Sequence, residues 1–217
     1  MTNREAWNRE YDRRGIPSSF RDEPSGSLVW ALESWFRLTG EARPESALDS
    51  GCGTGRNTAF LRAKGIAAVG VDFADAALTQ AGRRAVVVQA DLTAGIPFHG
   101  ASFDLVCDLF VYKHLVDAAL RAAYRREIAR VLRPYGRLFV SLAEARDGFY
   151  STCEHVGDSV VDPVTGVGSV LFTLADLIDE LSDCFALEMS WEKQKPGMMH
   201  GREYPRRTIA SIWRLAG

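Results

Sequence analysis

Three alternate glycines are the clearest chemical signal in this chain. Gly51, Gly53 and Gly55 follow a short apolar run that ends at Asp49. Glycine at these positions lets the backbone adopt positive φ and lets a ligand lie directly against the main chain. The stretch therefore predicts a strand, a tight turn and a helix start that together bind a small cofactor.

The glycine spacing bears on the class of cofactor. A dinucleotide fingerprint needs G-x-G-x-x-G, and counting from Gly51 places Arg56 at the third glycine position. Counting from Gly53 places Thr58 there. An arginine would crowd the helix against the strand, so the spacing weakens the dinucleotide hypothesis without excluding it.

Carboxylates follow the neighbouring predicted strands. An acidic residue about 20 positions beyond such a turn accepts hydrogen bonds from ribose hydroxyls, and Asp72 suits that role. An N-cap for the next helix is the alternative for Asp72, and a turn residue is the alternative for Asp91. In doubly wound sheets the ligand crevice lies outside the carboxyl ends of strands 1 and 4, and we expect Asp49 and Asp108 at these two ends.

His114 is a candidate general base, because an imidazole with a near-neutral pKa suits proton transfer from a hydroxyl or an amine. A packed or capping histidine is the alternative. Tyr112, from the same segment, is predicted to shape the pocket.

From Ser46 onward, short apolar runs alternate with helical stretches. This order predicts an α/β fold with a doubly wound, mostly parallel sheet and helices on both faces. The predicted strands are 46–49, 67–72, 85–89, 103–108 and 137–142. The predicted helices between them are 58–64, 75–83 and 118–132.

The two ends of the chain have different patterns. Helices over 4–13 and 28–38, the second ended by Gly40, predict an N-terminal cap. The aromatic residues of this cap are predicted to pack onto the main domain, and Tyr11 is also a candidate for cofactor contact. They are Trp7, Tyr11, Phe20, Trp30, Trp35 and Phe36. Residues 144–169 are predicted to form a loop before a helix over 174–181. Strands over 185–191 and 208–215, joined by 192–207, predict an antiparallel hairpin that closes the sheet.

Composition limits the class of protein. The 217 residues are 47% hydrophobic and 25% charged, which predicts a single domain. We expect this domain to consist of a cap (1–44), a cofactor-binding core (45–142) and a closing region (143–217). A net charge of −2 provides no global attraction for nucleic acid or acidic membranes. No apolar run is long enough for a membrane span, and the start lacks a signal-peptide pattern, so we expect a cytoplasmic protein. Four widely spaced cysteines predict free, mostly buried thiols and no metal site.

Two motifs resemble those of a known family. The stretch from Leu48 to Asn57 resembles the first motif of class I S-adenosylmethionine-dependent methyltransferases, an acidic residue followed by G-x-G-x-G. Residues 103–110 resemble the fourth motif, a strand that ends beside the transferred methyl group. The resemblance covers roughly residues 46 to 142, and Ser50 stands where the family usually has an apolar residue.

The resemblance implies a seven-stranded sheet with an antiparallel last strand, and S-adenosylmethionine as cofactor. It implies that Asp49 binds the methionine ammonium group and that Asp91 binds the adenine amine, with Phe73 and Leu92 holding the base. The whole expected cofactor set is Tyr11, Asp49, Gly51, Cys52, Gly53, Gly55, Asn57, Asp72, Phe73, Asp91, Leu92, Asp108 and Leu109. The expected catalytic residues are Asp108, Tyr112 and His114.

Substrate residues are expected in the loops that overhang the cofactor crevice. The candidates are Glu144, Tyr150, His155, His200 and Arg202. Mixed His, Arg and Tyr side chains suit a small polar or aromatic acceptor. An exposed hairpin tip is the alternative for the late group.

The predicted function is methyl transfer from S-adenosylmethionine to a small-molecule acceptor by in-line displacement, in detoxification or secondary metabolism. Alternatives are an RNA or protein methyltransferase, a non-catalytic module that binds an adenosyl cofactor and, with less support, an NAD-dependent oxidoreductase. Nucleic acid is the weaker substrate class, because the segment after strand 4 lacks an Asn-Pro-Pro-Tyr type sequence. An oxidoreductase would need a Tyr-x-x-x-Lys pair, which does not follow that strand.

Overall fold

The computed structural model describes residues 3–13 and 21–216. Its helices are α1 (Asn3–Arg13), α2 (Gly26–Thr39), α3 (Arg56–Ala63), α4 (Asp75–Ala81), α5 (Ala118–Val131) and α6 (Leu174–Leu181). Its strands are β1 (Ser46–Ser50), β2 (Ala67–Asp72), β3 (Val87–Gln89), β4 (Phe103–Leu109), β5 (Leu132–Ala143), β6 (Glu154–Val156), β7 (Ser159–Val161), β8 (Gly168–Val170), β9 (Phe185–Met199) and β10 (Arg202–Leu215). None of the helices in this part of the chain is long and apolar enough to cross a membrane.

The larger sheet has the order β3-β2-β1-β4-β5-β10-β9. Strands β1 to β5 run parallel, and β1 pairs with β2 on one side and β4 on the other. The strand order therefore reverses between β1 and β4, where such sheets bind ligands. This arrangement confirms the predicted doubly wound α/β fold. Helix α3 begins earlier than predicted, at Arg56, because Gly55 adopts the left-handed conformation at its N-cap, with a φ of 77°.

Apolar side chains cover both faces of this sheet. Successive residues of β4 point to opposite faces, so Val106 joins one core cluster and Leu105 the other. Helices α5 and α6 contribute Ile128 and Leu177 to the first cluster. Helix α2 contributes Trp35 to the second, together with further residues of the sheet and α3. Trp35, one of the predicted aromatic residues, thus packs against the sheet as predicted, whereas Phe20 lies outside the described residues. The division into cap, core and closing region stays a prediction.

Strand β10 lies between β5 and β9 and is antiparallel to both. This confirms the predicted closing hairpin, but the prediction that 192–207 only joins the two strands was wrong. Pairing continues from Glu192↔Ile209 to Met199↔Arg202. Two residues, His200 and Gly201 with φ of 48° and 77°, make the reversal, as in the tight turns that suit twisted hairpins. The charged residues of 192–207 lie along this ladder rather than in a loop.

The prediction of a loop over 144–169 also needs correction. This segment contains a small antiparallel sheet with the order β6-β7-β8. Each strand has three residues, too few for a repeating pattern in the sequence. Val160 and Val170 are buried, so this sheet is held by packing against the rest of the protein.

Candidate active site

The glycine turn between β1 and α3 has positive φ at all three glycines: 66° at Gly51, 53° at Gly53 and 77° at Gly55. A Cβ at residue 51 would collide with the Val111 side chain, and one at residue 55 would lie 2.9 Å from the Ala81 Cβ. These two glycines therefore permit close packing of the chain on itself. A Cβ at residue 53 would instead lie 2.6 Å from the Tyr11 hydroxyl.

Asp72 ties the glycine turn to the end of β2. Its carboxylate accepts hydrogen bonds from the Gly53 N–H at 2.9 Å and the Ala74 N–H at 3.0 Å. Burial raises the pKa of Asp72, while these backbone donors act in the opposite direction. The N-cap of α4 is Ala74 rather than Asp72. A carboxylate has more acceptor positions than these bonds use, which fits the predicted contact with ribose.

Asp49 lies at the end of β1 and is only 1% exposed. The Thr58 hydroxyl donates to it at 2.6 Å. Burial, with a smaller contribution from the negative charge of Asp72, raises the pKa of Asp49 to about 6. A nearby cation would offset this cost of ionisation, so the site fits the ammonium group assigned to it by the resemblance.

The predicted adenine region lies beyond β2 and β3. Asp91 accepts hydrogen bonds from the Thr93 N–H at 3.0 Å and the Thr93 hydroxyl at 2.7 Å, so the turn role is present. Phe73 is half-buried, and Leu92 belongs to the main apolar core. The carboxylates of Asp49, Asp72 and Asp91 thus follow three adjacent strands at one edge of the sheet.

Three other predicted cofactor residues lie around this turn. Cys52 is buried, and burial raises the pKa of its thiol. The Asn57 side-chain oxygen accepts from the Ser25 N–H at 2.9 Å, which links α3 to the start of α2. Leu109 ends β4 and packs against the core cluster that contains Trp35. Their contact with cofactor stays a prediction.

Helix α1 lies over the glycine turn. The Tyr11 ring is 5.9 Å from the Trp7 ring, which is in turn 5.1 Å from the His114 ring, centroid to centroid. Burial raises the pKa of Tyr11, and the Asp72 charge adds to this effect. The helix therefore spans from the glycine turn to the segment that follows β4. The Tyr11 hydroxyl lies beside Gly53, and its contact with cofactor stays a prediction.

Asp108 is fully buried, and both of its carboxylate oxygens accept hydrogen bonds. The donors are the Val111 N–H at 3.0 Å, the Tyr112 N–H at 3.1 Å and the Tyr124 hydroxyl at 3.0 Å. Burial raises the pKa of Asp108 to about 7. The Ser50 hydroxyl lies 2.6 Å from the Tyr124 hydroxyl, which explains a polar residue at that strand position. These contacts give Asp108 a structural role, and its catalytic and cofactor roles stay predictions.

Tyr112 lies in the core rather than towards the glycine turn. Its hydroxyl donates to Glu180 at 3.1 Å, and its ring packs near those of Tyr124 and Phe172. Burial raises the pKa of the Tyr112 hydroxyl. These contacts connect the segment after β4 to α5 and α6, and a catalytic role for Tyr112 stays a prediction.

His114 contacts the small sheet. Its Nδ1 lies 3.0 Å from the Gly168 carbonyl oxygen and 3.2 Å from the Ser169 hydroxyl. Because a carbonyl only accepts, Nδ1 carries the proton and Nε2 carries the lone pair. Burial, and secondly the Lys113 charge, lowers the pKa of His114 to about 3. The imidazole is therefore neutral near pH 7.

Two predicted substrate residues meet at an aromatic cluster, formed by Ala143, Phe149, Tyr150, Cys153, Val160 and Met199 with Phe110 packed against it. The Phe149 ring lies 5.1 Å from the Tyr150 ring and 5.5 Å from the His200 ring. The cluster lies beyond the carboxyl ends of β4 and β5. We name this cluster the acceptor compartment.

The other predicted substrate residues lie elsewhere. Glu144 is buried and accepts hydrogen bonds from the Arg146 N–H and Nε at 2.9 and 2.8 Å. His155 is exposed on β6. Arg202 is exposed beyond the hairpin turn, with its guanidinium 5.6 Å from the Tyr204 ring. Contact of these three with an acceptor stays a prediction.

Several charged residues at this compartment were not predicted. Asp147 accepts two hydrogen bonds from Arg206 Nε, at 2.8 and 3.0 Å, and Asp162 lies 2.8 Å from His200 Nε2. Lys113 is fully buried beside Tyr150. The sequence signal for Lys113 was its position next to His114, whereas the Asp147–Arg206 ion pair and the Asp162–His200 hydrogen bond join residues far apart in the chain. Among the described residues, no group of His, Cys, Asp and Glu side chains is arranged to hold a metal ion.

The chain forms an α/β domain with an antiparallel seventh strand, and the glycine turn lies at the β1/β4 switch point, where such sheets bind ligands. Residues 48–140 match the family model of the methyltransferase domain. This region is similar to the class I S-adenosylmethionine-dependent methyltransferases, a family whose cofactor is S-adenosylmethionine.

The chain is also similar to individual proteins, in sequence to curated methyltransferases and in fold to solved structures. The chain is 36% identical over 124 residues to a demethylmenaquinone methyltransferase of Mycolicibacterium gilvum, covering 54% of this chain and 53% of that protein. A solved structure of a Pyrococcus horikoshii protein has a TM-score of 0.71 at 18% identity, covering 94% and 97% of the two chains. The 1,6-didemethyltoxoflavin-N1-methyltransferase of Burkholderia thailandensis has a TM-score of 0.63 at 22% identity, covering 88% of this chain and 79% of its own. The chain spans about half the length of the curated demethylmenaquinone methyltransferases that it matches.

Proposed function

We propose that this protein transfers a methyl group from S-adenosylmethionine to a small-molecule acceptor. The supporting observation is the division of the sheet edge into two parts. The glycine turn, Asp49 and Asp72 lie at the ends of β1 and β2, while the acceptor compartment follows β4 and β5. Bound there, the cofactor supplies a methyl group activated by its sulfonium, and in-line placement provides much of the rate acceleration.

The residues of the chain would position the two reactants. Asp72 would accept from the ribose hydroxyls while its bonds to the turn hold the carboxylate in place. Asp49 would pair with the ammonium group. Helix α1, with Tyr11 over the turn, would exclude water from the reacting groups.

A small acceptor fits this arrangement better than a macromolecule. The compartment is a packed cluster of buried aromatic and apolar side chains, including Phe149 and Tyr150, and such side chains are typical of sites that bind small molecules. The net charge of −2 gives no general attraction for RNA. Two similar proteins, a demethylmenaquinone methyltransferase and a 1,6-didemethyltoxoflavin-N1-methyltransferase, are named for small acceptors.

Calorimetric titration tests the cofactor part of the proposal. Wild-type protein is titrated with S-adenosylmethionine, S-adenosylhomocysteine and NAD, and the series is repeated with Asp72→Ala and Asp75→Ala. We expect both adenosyl compounds to bind and NAD not to bind. Asp72→Ala should weaken binding by about tenfold or more, since each lost hydrogen bond to a charged group is worth about 1.5–3 kcal/mol. Asp75, an exposed carboxylate three positions along, is the matched control.

A turnover assay distinguishes a methyltransferase from a non-catalytic module that only binds the cofactor. Methyl transfer to a panel of phenols, thiols and amines is followed by release of S-adenosylhomocysteine. Tight binding with no methylated product from any class would favour the non-catalytic alternative. Binding of NAD alone would overturn the proposal.

A further inference from the structure

Lys113 is the most unusual charged residue at the acceptor compartment. Its side chain has no measurable exposure, and its Nζ has no hydrogen-bond partner in the described part of the chain. An ammonium group carries three N–H donors, and burying them without acceptors is costly. A buried lysine in this state calls for an explanation in terms of what its nitrogen contacts.

The surroundings of Lys113 satisfy it only in part. Nζ lies 3.7 Å from the centroid of the Tyr150 ring, so the ring face attracts the cation without accepting conventional hydrogen bonds. Both nearby carboxylates are already paired. Asp147 forms an ion pair with Arg206, and Asp162 forms a hydrogen bond with His200.

The position of Lys113 connects the two halves of the site. Val111 packs against Gly51 of the cofactor turn, whereas Lys113 lies against Tyr150 of the acceptor compartment. His114, the next residue, bonds to Ser169, and the Ser169 hydroxyl also bonds to Tyr150. Residues 111–114 therefore run from the cofactor turn to the place where an acceptor would meet it.

We propose that Lys113 Nζ binds the reacting oxygen of an aromatic acceptor that carries a phenol or enol hydroxyl, and takes the proton of that hydroxyl. This inference rests on the proposed function and names its acceptor class. The aromatic part of the acceptor follows from the rings of Phe149 and Tyr150, which meet edge to face beside the lysine. The hydroxyl oxygen of the acceptor follows from Lys113 Nζ, because this nitrogen has no hydrogen-bond partner in the described part of the chain.

The proton and electron balance is simple. The neutral Lys113 amine takes the hydroxyl proton, which breaks the O–H bond and leaves an ammonium paired with an oxyanion. The oxyanion, or the ring carbon conjugated with it, then forms a bond to the methyl carbon as the carbon–sulfur bond breaks. The sulfur keeps that electron pair and becomes a neutral thioether. For oxygen methylation, the Lys113 ammonium returns its proton to solvent after product release. For ring-carbon methylation, water takes the proton from the methylated ring carbon, and the Lys113 ammonium returns its proton to the oxygen, which restores the phenol.

The electrostatic setting supports this role. Burial, then the Arg206 charge, lowers the pKa of Lys113 to about 7, while Asp147, Asp162 and the Cys153 thiol act in the opposite direction. His114 adds no positive charge near neutral pH, because its own pKa is lowered to about 3. Near pH 7 the nitrogen is thus able to exist as amine or ammonium, as a proton acceptor requires.

Binding of para-nitrophenol tests the inference directly, because the phenol and its phenolate differ in absorbance. The proteins are wild type, Lys113→Met, Lys113→Arg and Lys64→Met, with and without S-adenosylhomocysteine. Lys64 also lies over a ring, that of Phe60, but it is exposed, so it is the matched control. Para-nitroanisole, which has no hydroxyl, is the matched ligand.

We expect wild type and Lys64→Met to hold the phenolate at least about tenfold more tightly than para-nitroanisole, with the pKa of the bound phenol lowered by about one unit. Lys113→Met should lose this preference while its S-adenosylhomocysteine affinity stays within about twofold. Lys113→Arg should keep phenolate binding but lose turnover with phenols, because arginine does not give up its proton.

Two results would overturn the inference: no preference of wild type for the phenolate, or an undiminished preference in Lys113→Met. The wild-type comparison needs no variant, so it decides the matter even if Lys113→Met fails to fold. If S-adenosylhomocysteine does not bind to wild type, the proposed function fails, and phenolate binding without cofactor still tests the lysine site separately.

Discussion

The Trp7 ring meets the His114 imidazole nearly edge to face, with 5.1 Å between the centroids and 79° between the planes. This contact joins the N-terminal helix to the segment after β4. Tyr11, one helical turn further along α1, reaches Gly53. Helix α1 thereby covers the cofactor turn and the start of the acceptor compartment together.

The first prediction concerns this cover. Trp7→Ala removes an aromatic contact of about 0.5–1.5 kcal/mol, so we expect S-adenosylhomocysteine affinity to fall by roughly threefold to tenfold, as measured by calorimetry. Trp191→Ala is the control, because it removes an aromatic pair with Trp30 on α2 and β9, away from the glycine turn. Equal losses in both variants would show that α1 has no particular part in cofactor binding.

His114→Gln should separate binding from turnover. The imidazole is held by Gly168 and Ser169, and its loss should reduce kcat by about tenfold or more. Cofactor affinity should fall no further than in Trp7→Ala, because both variants remove the same ring contact. Because the His114 pKa is about 3, the pH at half-maximal rate should not move. His99, which is exposed and belongs to none of the predicted sets, provides the control substitution, His99→Gln. Full activity of His114→Gln would remove this residue from the catalytic set.

Cofactor affinity should depend on the ionisation of Asp49. Burial raises its pKa to about 6, and only the ionised form attracts an ammonium group. We therefore expect S-adenosylhomocysteine affinity to be constant well above pH 6 and to fall by about tenfold per unit well below it. Titrations across this range test the slope. Asp49→Asn should bind weakly and show no such dependence, and a persisting slope would assign it to another group.

Asp108 should matter for stability. Asp108→Ala leaves two buried backbone N–H groups and the Tyr124 hydroxyl without their acceptor, which should lower the free energy of unfolding by roughly 2–4 kcal/mol. Urea denaturation measures this. Loss of activity in Asp108→Ala would therefore not by itself identify a catalytic residue. A stability equal to wild type would show that the hydrogen bonds to Asp108 contribute little.

The contribution of Asp108 to the free energy of unfolding should also change with pH. Its folded-state pKa of about 7 lies above the unfolded value of about 3.9, so the native state binds more protons between these values. The free energy of unfolding should then fall as pH rises from about 4 to about 7. Asp108→Asn should make this slope smaller. An unchanged slope would assign the effect to other buried acids.

Local sequence patterns determined much of the fold. The alternation of apolar runs with helical periodicity predicted the parallel strands, and Gly40 ended α2 in the left-handed conformation with a φ of 77°. The glycine turn and Asp72 lie together as predicted. These features depend on backbone geometry and on residues close in sequence, so the spacing of residue types along the chain is enough to predict them.

Pairing between distant residues was decided by the tertiary structure. The sequence singled out Asp108 and not Lys113, yet Asp108 accepts a hydrogen bond from the Tyr124 hydroxyl, while the Lys113 nitrogen meets no acceptor in the described chain. The lengths of β9 and β10 likewise depended on cross-strand pairing, which the charged residues of 192–207 concealed. Burial and partners depend on which elements pack together in space, and no local pattern records that. The sequence by itself therefore determined the fold class and the cofactor turn, and the tertiary structure decided which charged groups there remain available for chemistry.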